Sequence, residues 1–171
     1  GFGVSLEQLT PETAEWIRLW RNHPRIRQQM ENREIISPEM QQRWLASIQN
    51  NRYAYFLIRV GDAPVGMIHL SHIDPENHTA EAGLFIGEER FSGTGIALGA
   101  SLLLLEYAFF GLGLHTVSAK VKNENRVAEK YNALLGFADP QPCSPGFNRW
   151  MLKKEVFLLQ KPLLESLVAS K

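Results

Sequence analysis

Apolar positions recur along this chain at two periods, and the switches between them mark out its elements. Residues 4–9 alternate enough for a short first strand. Thr10-Pro11 reads as a helix cap followed by proline at the first helical position, and Trp16, Ile17, Leu19 and Trp20 give that helix an apolar side. Arg18 and Arg21 fall elsewhere around it. Pro24 disfavours helical geometry at His23, so the helix stops there and a short turn follows over 25–30. Ser37-Pro38 repeats the cap-plus-proline signature and predicts a helix to about Ile48, with Trp44, Leu45 and Ile48 on one face. Strands are predicted at 53–60 and 65–71, joined by Gly61-Asp62 as a hairpin. A polar loop over 72–78 leads to a third strand, 79–87. After a glycine-bearing loop, the apolar run 98–110 predicts a buried helix that Gly111-Leu112-Gly113 ends. The remainder reads as strand 115–121, helix 123–135 ended by Gly136-Phe137, a loop over 141–146 with two prolines, a last strand 149–159 and a short tail helix over about 162–170. No internal repeat or low-complexity linker interrupts this order, which predicts one α/β (mixed α+β) domain over 1–171 with a mixed sheet.

Composition narrows the function classes. With 171 residues and 44% hydrophobic composition, a single domain can bury a real core. Eighteen basic residues balance eighteen acidic ones, without the basic excess of a general nucleic-acid binder. The single Cys143 cannot close an intrachain disulfide. The first ten residues lack the basic and apolar regions of a secretory signal, and the run 98–110, interrupted by Glu106, is too short to span a membrane. These features predict a cytoplasmic protein with no nucleic-acid or membrane partner.

The candidate chemistry starts at the glycine-bearing loop. Strand, loop and buried helix follow one another, with Arg90 at the start of the loop and Gly93 and Gly95 within it. A helix N-terminus carries unpaired N–H groups and a partial positive charge of about half an elementary charge. Glycines let an anion come close to that backbone, and an arginine can pair with the same anion. A plain glycine turn closing a strand–helix connection gives the same local pattern. The loop is not a dinucleotide fingerprint, whose third glycine would stand where this chain has Leu98, and it lacks the Gly-Lys-Ser/Thr of a Walker loop.

Three features in order give the loop a context: Ala80-Glu81-Ala82-Gly83-Leu84, then Arg90-x-x-Gly93-x-Gly95, then Asn125 followed twelve residues later by Phe137 in a Leu-Gly-Phe ending. Over about residues 4–158 this arrangement resembles the GNAT acetyltransferase superfamily. Leu19-Trp20-Arg21-Asn22-His23-Pro24, Arg27, Ser37 and Trp44 resemble its branch that acetylates nucleotide-linked amino sugars, the pseudaminic acid biosynthesis type. Ribosomal-protein N-terminal acetyltransferases share much of this layout.

The resemblance implies a GNAT-like fold, a central mixed, mostly antiparallel sheet flanked by helices, and acetyl-CoA as acetyl donor. Leu84, Phe85 and Ile86 would offer backbone groups to the pantetheine arm. Arg90, Gly93, Thr94, Gly95, Ile96 and Ala97 would hold the pyrophosphate, and Asn125 would reach the pantetheine. Glu81 would serve as base for the attacking amine, since an ammonium must lose a proton before it attacks a thioester. Family members often carry tyrosine four residues before the glycine of Leu-Gly-Phe, where its hydroxyl can protonate the leaving thiolate. Here that position is Asn132, and Tyr131 precedes it by one residue, about 100° around the helix, so both cannot face the sulfur. The glycine-anchored register favours Asn132. Arg21, Asn22 and Trp44 would bind the acceptor, and Gln41 stands where the branch commonly shows histidine. The implied activity is N-acetyl transfer to a primary amine, most simply that of a nucleotide-linked amino sugar, in a protein compatible with a homodimer. Acetylation of protein N-termini, or non-catalytic sensing of acyl-CoA, are the alternatives.

Other clusters carry less. His69 and His72, three apart on a strand, are expected on opposite faces, which disfavours a metal site. Cys143 lies between prolines with no histidine near it in sequence, so direct transfer in a ternary complex is expected rather than an acetyl-enzyme. Arg18, Arg21, Arg25 and Arg27 could meet an acidic acceptor or form a solvated helix face.

Overall fold

The computed structural model describes residues 2–170. Its sheet has seven strands: β1 (Ser5–Gln8), β2 (Ala54–Val60), β3 (Ala63–Asp74), β4 (Thr79–Ile86), β5 (Thr116–Lys122), β6 (Ala138–Ser144) and β7 (Phe147–Lys153), in the order β1-β2-β3-β4-β5-β7-β6. Every neighbouring pair is antiparallel except β4 and β5. That pair is bridged by the buried helix, the kind of crossover a parallel connection requires.

Helices α1 (Pro11–Asn22), α2 (Pro24–Arg27) and α3 (Pro38–Ser47) cover part of one sheet face; α4 (Ile96–Glu106), α5 (Arg126–Leu135) and α6 (Lys154–Ala169) cover the other. The sequence caps act as read. Thr10 and Thr13 form a reciprocal capping box on α1, and Ser37 accepts from Met40 N at 3.1 Å on α3. Gly136, at φ 106°, closes α5. Asn22 is a clamp: it donates to Ile36 O (2.9 Å) and accepts from Ile36 N (2.7 Å), pinning the segment between α2 and α3. Buried Gln41 donates to Ala14 O at 2.7 Å and ties α3 to α1.

The larger core lies between the sheet and α4–α6. It includes Ile58, Ile68, Leu70, Leu102, Phe109, Leu152 and Phe157. Leu102 is fully buried at 0% exposure. Leu102→Ala removes its methyl groups and leaves a cavity, so a denaturant titration is expected to show a loss of about 2–5 kcal/mol.

The C-terminal reading needs correction. The predicted strand 149–159 ends at Lys153, and the helix predicted from 162 begins at Lys154 and runs through Pro162 to Ala169. Apolar residues 156–159 suit either period, and packing of Phe157 and Leu164 into the core selects the helix. The proline loop 141–146 is mostly strand β6, an edge strand, where a missing N–H can face solvent. Among the described residues no helix is long and apolar enough to cross a membrane.

Candidate active site

The sheet opens where the donor motif lies. β4 pairs with β5 only over Thr79–Ala82 against Thr116–Ala119. Beyond Ala82, β4 keeps its β3 partners as far as Ile86, whereas β5 continues against β7. The β5-facing edge of Gly83, Leu84, Phe85 and Ile86 is thus free of a strand partner. An extended chain can add along such an edge through backbone hydrogen bonds. Leu84 and Ile86 point to the α4 side, and Phe85 packs edge-on to Trp20 with ring centroids 6.3 Å apart.

A short 3-10 turn, Glu89–Phe91, leads from this limb into the loop. Thr94 Oγ1 donates to Phe91 O at 2.6 Å. Gly95 caps α4 at φ 90°, a backbone state costly for any residue with a Cβ, and no side chain caps the helix there. By contrast α1, α3 and α5 all have side-chain caps. The first N–H groups of α4 are therefore left open under Ile96 and Ala97. Space beside Gly93 is also open. Arg90 lies over the Phe91 ring at 4.8 Å and has no acidic partner among the described residues. This is a cradle for a compact anion.

Glu81 stands just before the opening, on the α1–α3 side of the sheet. Its carboxylate accepts from Arg149 Nη2 at 3.3 Å, and His72 Nδ1 lies 3.8 Å away. His72, Ala80, Glu81, Thr116, Ser118 and Arg149 line a cavity of about 260 Å³. A register shift in β3 between Ser71 and Asp74, with His72 at φ 51°, turns the His72 ring to this side. His69 and His72 therefore share a face, contrary to the alternation expected for a regular strand.

An aromatic row crosses the same face. Trp44 meets Tyr55 edge-on at 5.0 Å, Tyr55 stacks on His69 at 4.5 Å with the planes 6° apart, and the His69 ring covers Gly83. Arg21 enters this region from α1. Among the described residues it has neither an ion pair nor a hydrogen bond, and burial lowers its pKa from the usual arginine value. Burial pushes the Tyr55 phenol up to about 12. Beyond Tyr53 and Tyr55 a larger cavity of about 600 Å³ opens at the sheet edge.

Burial, then the neighbouring Arg21 and His72, push His69 down to about 4, so the ring is neutral at neutral pH. The unfolded chain binds a proton near pH 6.5 that the native state refuses, so stability is full above about pH 6.5 and falls as pH drops toward 4, by about 2–3 kcal/mol. His69→Phe is expected to remove most of this slope in unfolding titrations between pH 4 and 7.

The remaining predicted site residues have other engagements. Tyr131 OH donates to Ala97 O at 2.9 Å, so Ser101 Oγ, 2.5 Å away, supplies the second hydrogen bond. Burial pushes the phenol above its usual value and it keeps its proton. Asn132 Nδ2 donates to Ala128 O at 2.9 Å within its own helix. Asn125 caps α5 by accepting from Ala128 N and donates to Gln29 Oε1 at 3.2 Å. The α2 region spans the opening as a strap. Arg25 donates to Gly87 O at 2.7 Å on the β4 side, while Glu31 pairs with Lys120 at 2.5 Å and Gln28 O accepts from Lys122 on the β5 side. Arg18 is paired with Glu15 and bonds Ile36 O.

Sequence reasoning passed over Tyr55 and Arg149, and set His69 and His72 aside. No local pattern marks them. Tyr55 and His69 meet through strand register, and Arg149 reaches Glu81 from a strand 68 residues later.

Comparison with known proteins agrees with this geometry. The model of the acetyltransferase (GNAT) domain family matches residues 4–138. The acetyltransferase PseH of Campylobacter jejuni is 32% identical over 124 residues, 72% of this chain and 75% of that protein. The N-acetyltransferase p20 of Bacillus licheniformis is 34% identical over 89 residues, 52% of this chain; the match spans about half of that relative, 49% of its length. Among solved structures, spermidine N-acetyltransferase from Vibrio cholerae, in complex with CoA and spermine, superposes with a TM-score of 0.83 at 19% identity, covering 92% of this chain and 99% of that one. A domain from Methanocaldococcus jannaschii superposes at 0.78 with 20% identity, covering 88% and 97%. At these identities the structural likeness concerns the fold.

Proposed function

The chain belongs to the GNAT acetyltransferase family, and from that premise we propose that it moves an acetyl group from acetyl-CoA directly onto the amine of a nucleotide-linked amino sugar. The observation that carries the donor half is the free β4 limb running into an uncapped helix N-terminus. The limb offers backbone groups to an extended pantetheine, and the open N–H groups with Arg90 offer charge to a pyrophosphate. Acetyl-CoA supplies an activated acyl carbon, and the protein positions the amine against it.

In the proposed reaction the amine nitrogen bonds to the acetyl carbon as the carbon–sulfur bond breaks. Glu81 takes the amine proton, directly or through water, and the departing sulfur takes up a proton. Holding both partners in one cleft supplies proximity and orientation. Free backbone N–H groups of β4 can stabilise the developing oxyanion. Tyr131 is assigned a positioning role, because its proton is held by Ala97 on the first turn of α4. Asn132 remains the α5 residue proposed beside the thioester.

Arg21 supports an anionic acceptor. A half-buried guanidinium without a counter-charge among the described residues suits a phosphate or carboxylate and repels a polyamine. The larger cavity beyond Tyr55 has room for a nucleotide. A parallel screen tests this reading: uridine- and thymidine-diphosphate amino sugars, spermidine, and N-terminal peptides. Turnover of the amino sugars is expected; turnover of spermidine or peptides alone would reverse the acceptor assignment. Cys143→Ala is expected to leave the rate unchanged, since Cys143 lies on the β6–β7 edge, where Sγ donates to Phe147 O at 3.6 Å and bonds no histidine or other base among the described residues. Trapping of an acetylated cysteine would refute direct transfer.

A further inference from the structure

His69 is unused in the reaction just described, yet its placement is specific. Its register partner on β4 is Gly83, the first residue past the end of β4–β5 pairing. The imidazole fills the space a side chain would take there: a Cβ on Gly83 would lie 2.4 Å from His69 Cε1 and 3.1 Å from Nε2. Tyr55 stacks on a face of the ring. The ring is thus fixed in two directions, over the β4 backbone where the opening begins.

Its hydrogen bonding is unmet. Nδ1 is sealed and has no partner, and among the described residues none bonds Nε2. A buried polar atom without a partner destabilises the fold, and such groups in native structures call for a reason. Packing alone supplies none, because a phenylalanine would fill the same space without the orphaned nitrogen. Neutrality adds to the case. A neutral imidazole offers one N–H and one lone pair, and does not repel an incoming ammonium.

We propose that His69 is a positioning residue for the acceptor: Nε2 hydrogen-bonds a polar group of the acceptor beside Gly83 and fixes the approach of the amine toward the opening of β4 and β5. The inference rests on the acetyl-transfer reading. It adds that the acceptor carries a hydrogen-bonding group close to its reactive amine, on the side of the aromatic row. Glu81 remains the proton acceptor, and His69 acts only on orientation and affinity.

The test compares His69→Phe, His69→Gln and Gly83→Ala with the wild type. Each is assayed with a uridine-diphosphate amino sugar, spermidine and an N-terminal peptide, and titrated with acetyl-CoA by calorimetry. For the acceptor that the wild type uses, His69→Phe is expected to raise KM at least tenfold, with the acetyl-CoA Kd unchanged and no loss in melting temperature. His69→Gln, which keeps a neutral donor and acceptor, should stay within threefold of wild type. Gly83→Ala displaces the ring without changing it and should also raise acceptor KM; it serves if His69→Phe does not fold. An unchanged acceptor KM in both His69→Phe and Gly83→Ala overturns the proposal and leaves acetyl transfer intact. Failure of the wild type to acetylate any of the three acceptors overturns both readings.

Discussion

Glu81→Gln is expected to lower turnover by about 10²–10⁴-fold at neutral pH, the usual cost of losing a general base. The amine enters mainly as an ammonium at that pH and cannot attack until it loses a proton. Glutamine keeps the volume of the side chain, and its carbonyl oxygen can still accept from Arg149, so the cavity should survive the change. What disappears is the ability to take a proton. The deficit should therefore shrink at high pH, where free amine is abundant. A pH–rate profile of the variant against wild type checks this. A uniform loss across pH would point to a disturbed cavity, and no loss at all would remove Glu81 as the base while leaving direct transfer standing.

Arg21→Gln is expected to raise the acceptor KM about 30- to 5,000-fold, because losing one partner of a buried, hydrogen-bonded charge pair costs about 2–5 kcal/mol. The effect should fall on KM more than on kcat, since an anion held by Arg21 takes no part in the bond changes and is bound alike in ground and transition states. Stability should not suffer, and a modest rise in melting temperature is expected, because this guanidinium has no partner among the described residues. Were a polyamine the acceptor, the same substitution would improve its binding. Steady-state kinetics with a nucleotide-linked amino sugar and with spermidine separate the two.

The donor half of the site was legible in sequence because it is local. Strand, loop and helix follow one another from Thr79 to Glu106, and the spacing of Arg90, Gly93 and Gly95 survives in the chain as a readable pattern. The acceptor half is assembled across strands. His72 reaches Glu81 only because β3 slips register between Ser71 and Asp74, and no residue type announces that slip. Arg149 arrives from β7 through pairing that the chain order does not reveal. Arg21 was visible as one of several arginines on α1 and α2. Arg21 and Arg27 are the two left without a side-chain partner among the described residues, because Glu15 meets Arg18 and the β4 end meets Arg25. The C-terminal helix was shortened in the reading because Pro162 resembles a start signal; packing of Phe157 and Leu164 carries the helix through it.

The central claim is that acetyl-CoA occupies the opening between β4 and β5, with its pyrophosphate on the loop of Arg90 to Ala97. Calorimetric titration of acetyl-CoA into the wild type and Arg90→Ala tests it most directly. One site per chain is expected, with binding weakened in Arg90→Ala and with added salt weakening the wild type more than the variant, as a phosphate contact through Arg90 requires. Absence of binding to the wild type at millimolar acetyl-CoA would contradict the account.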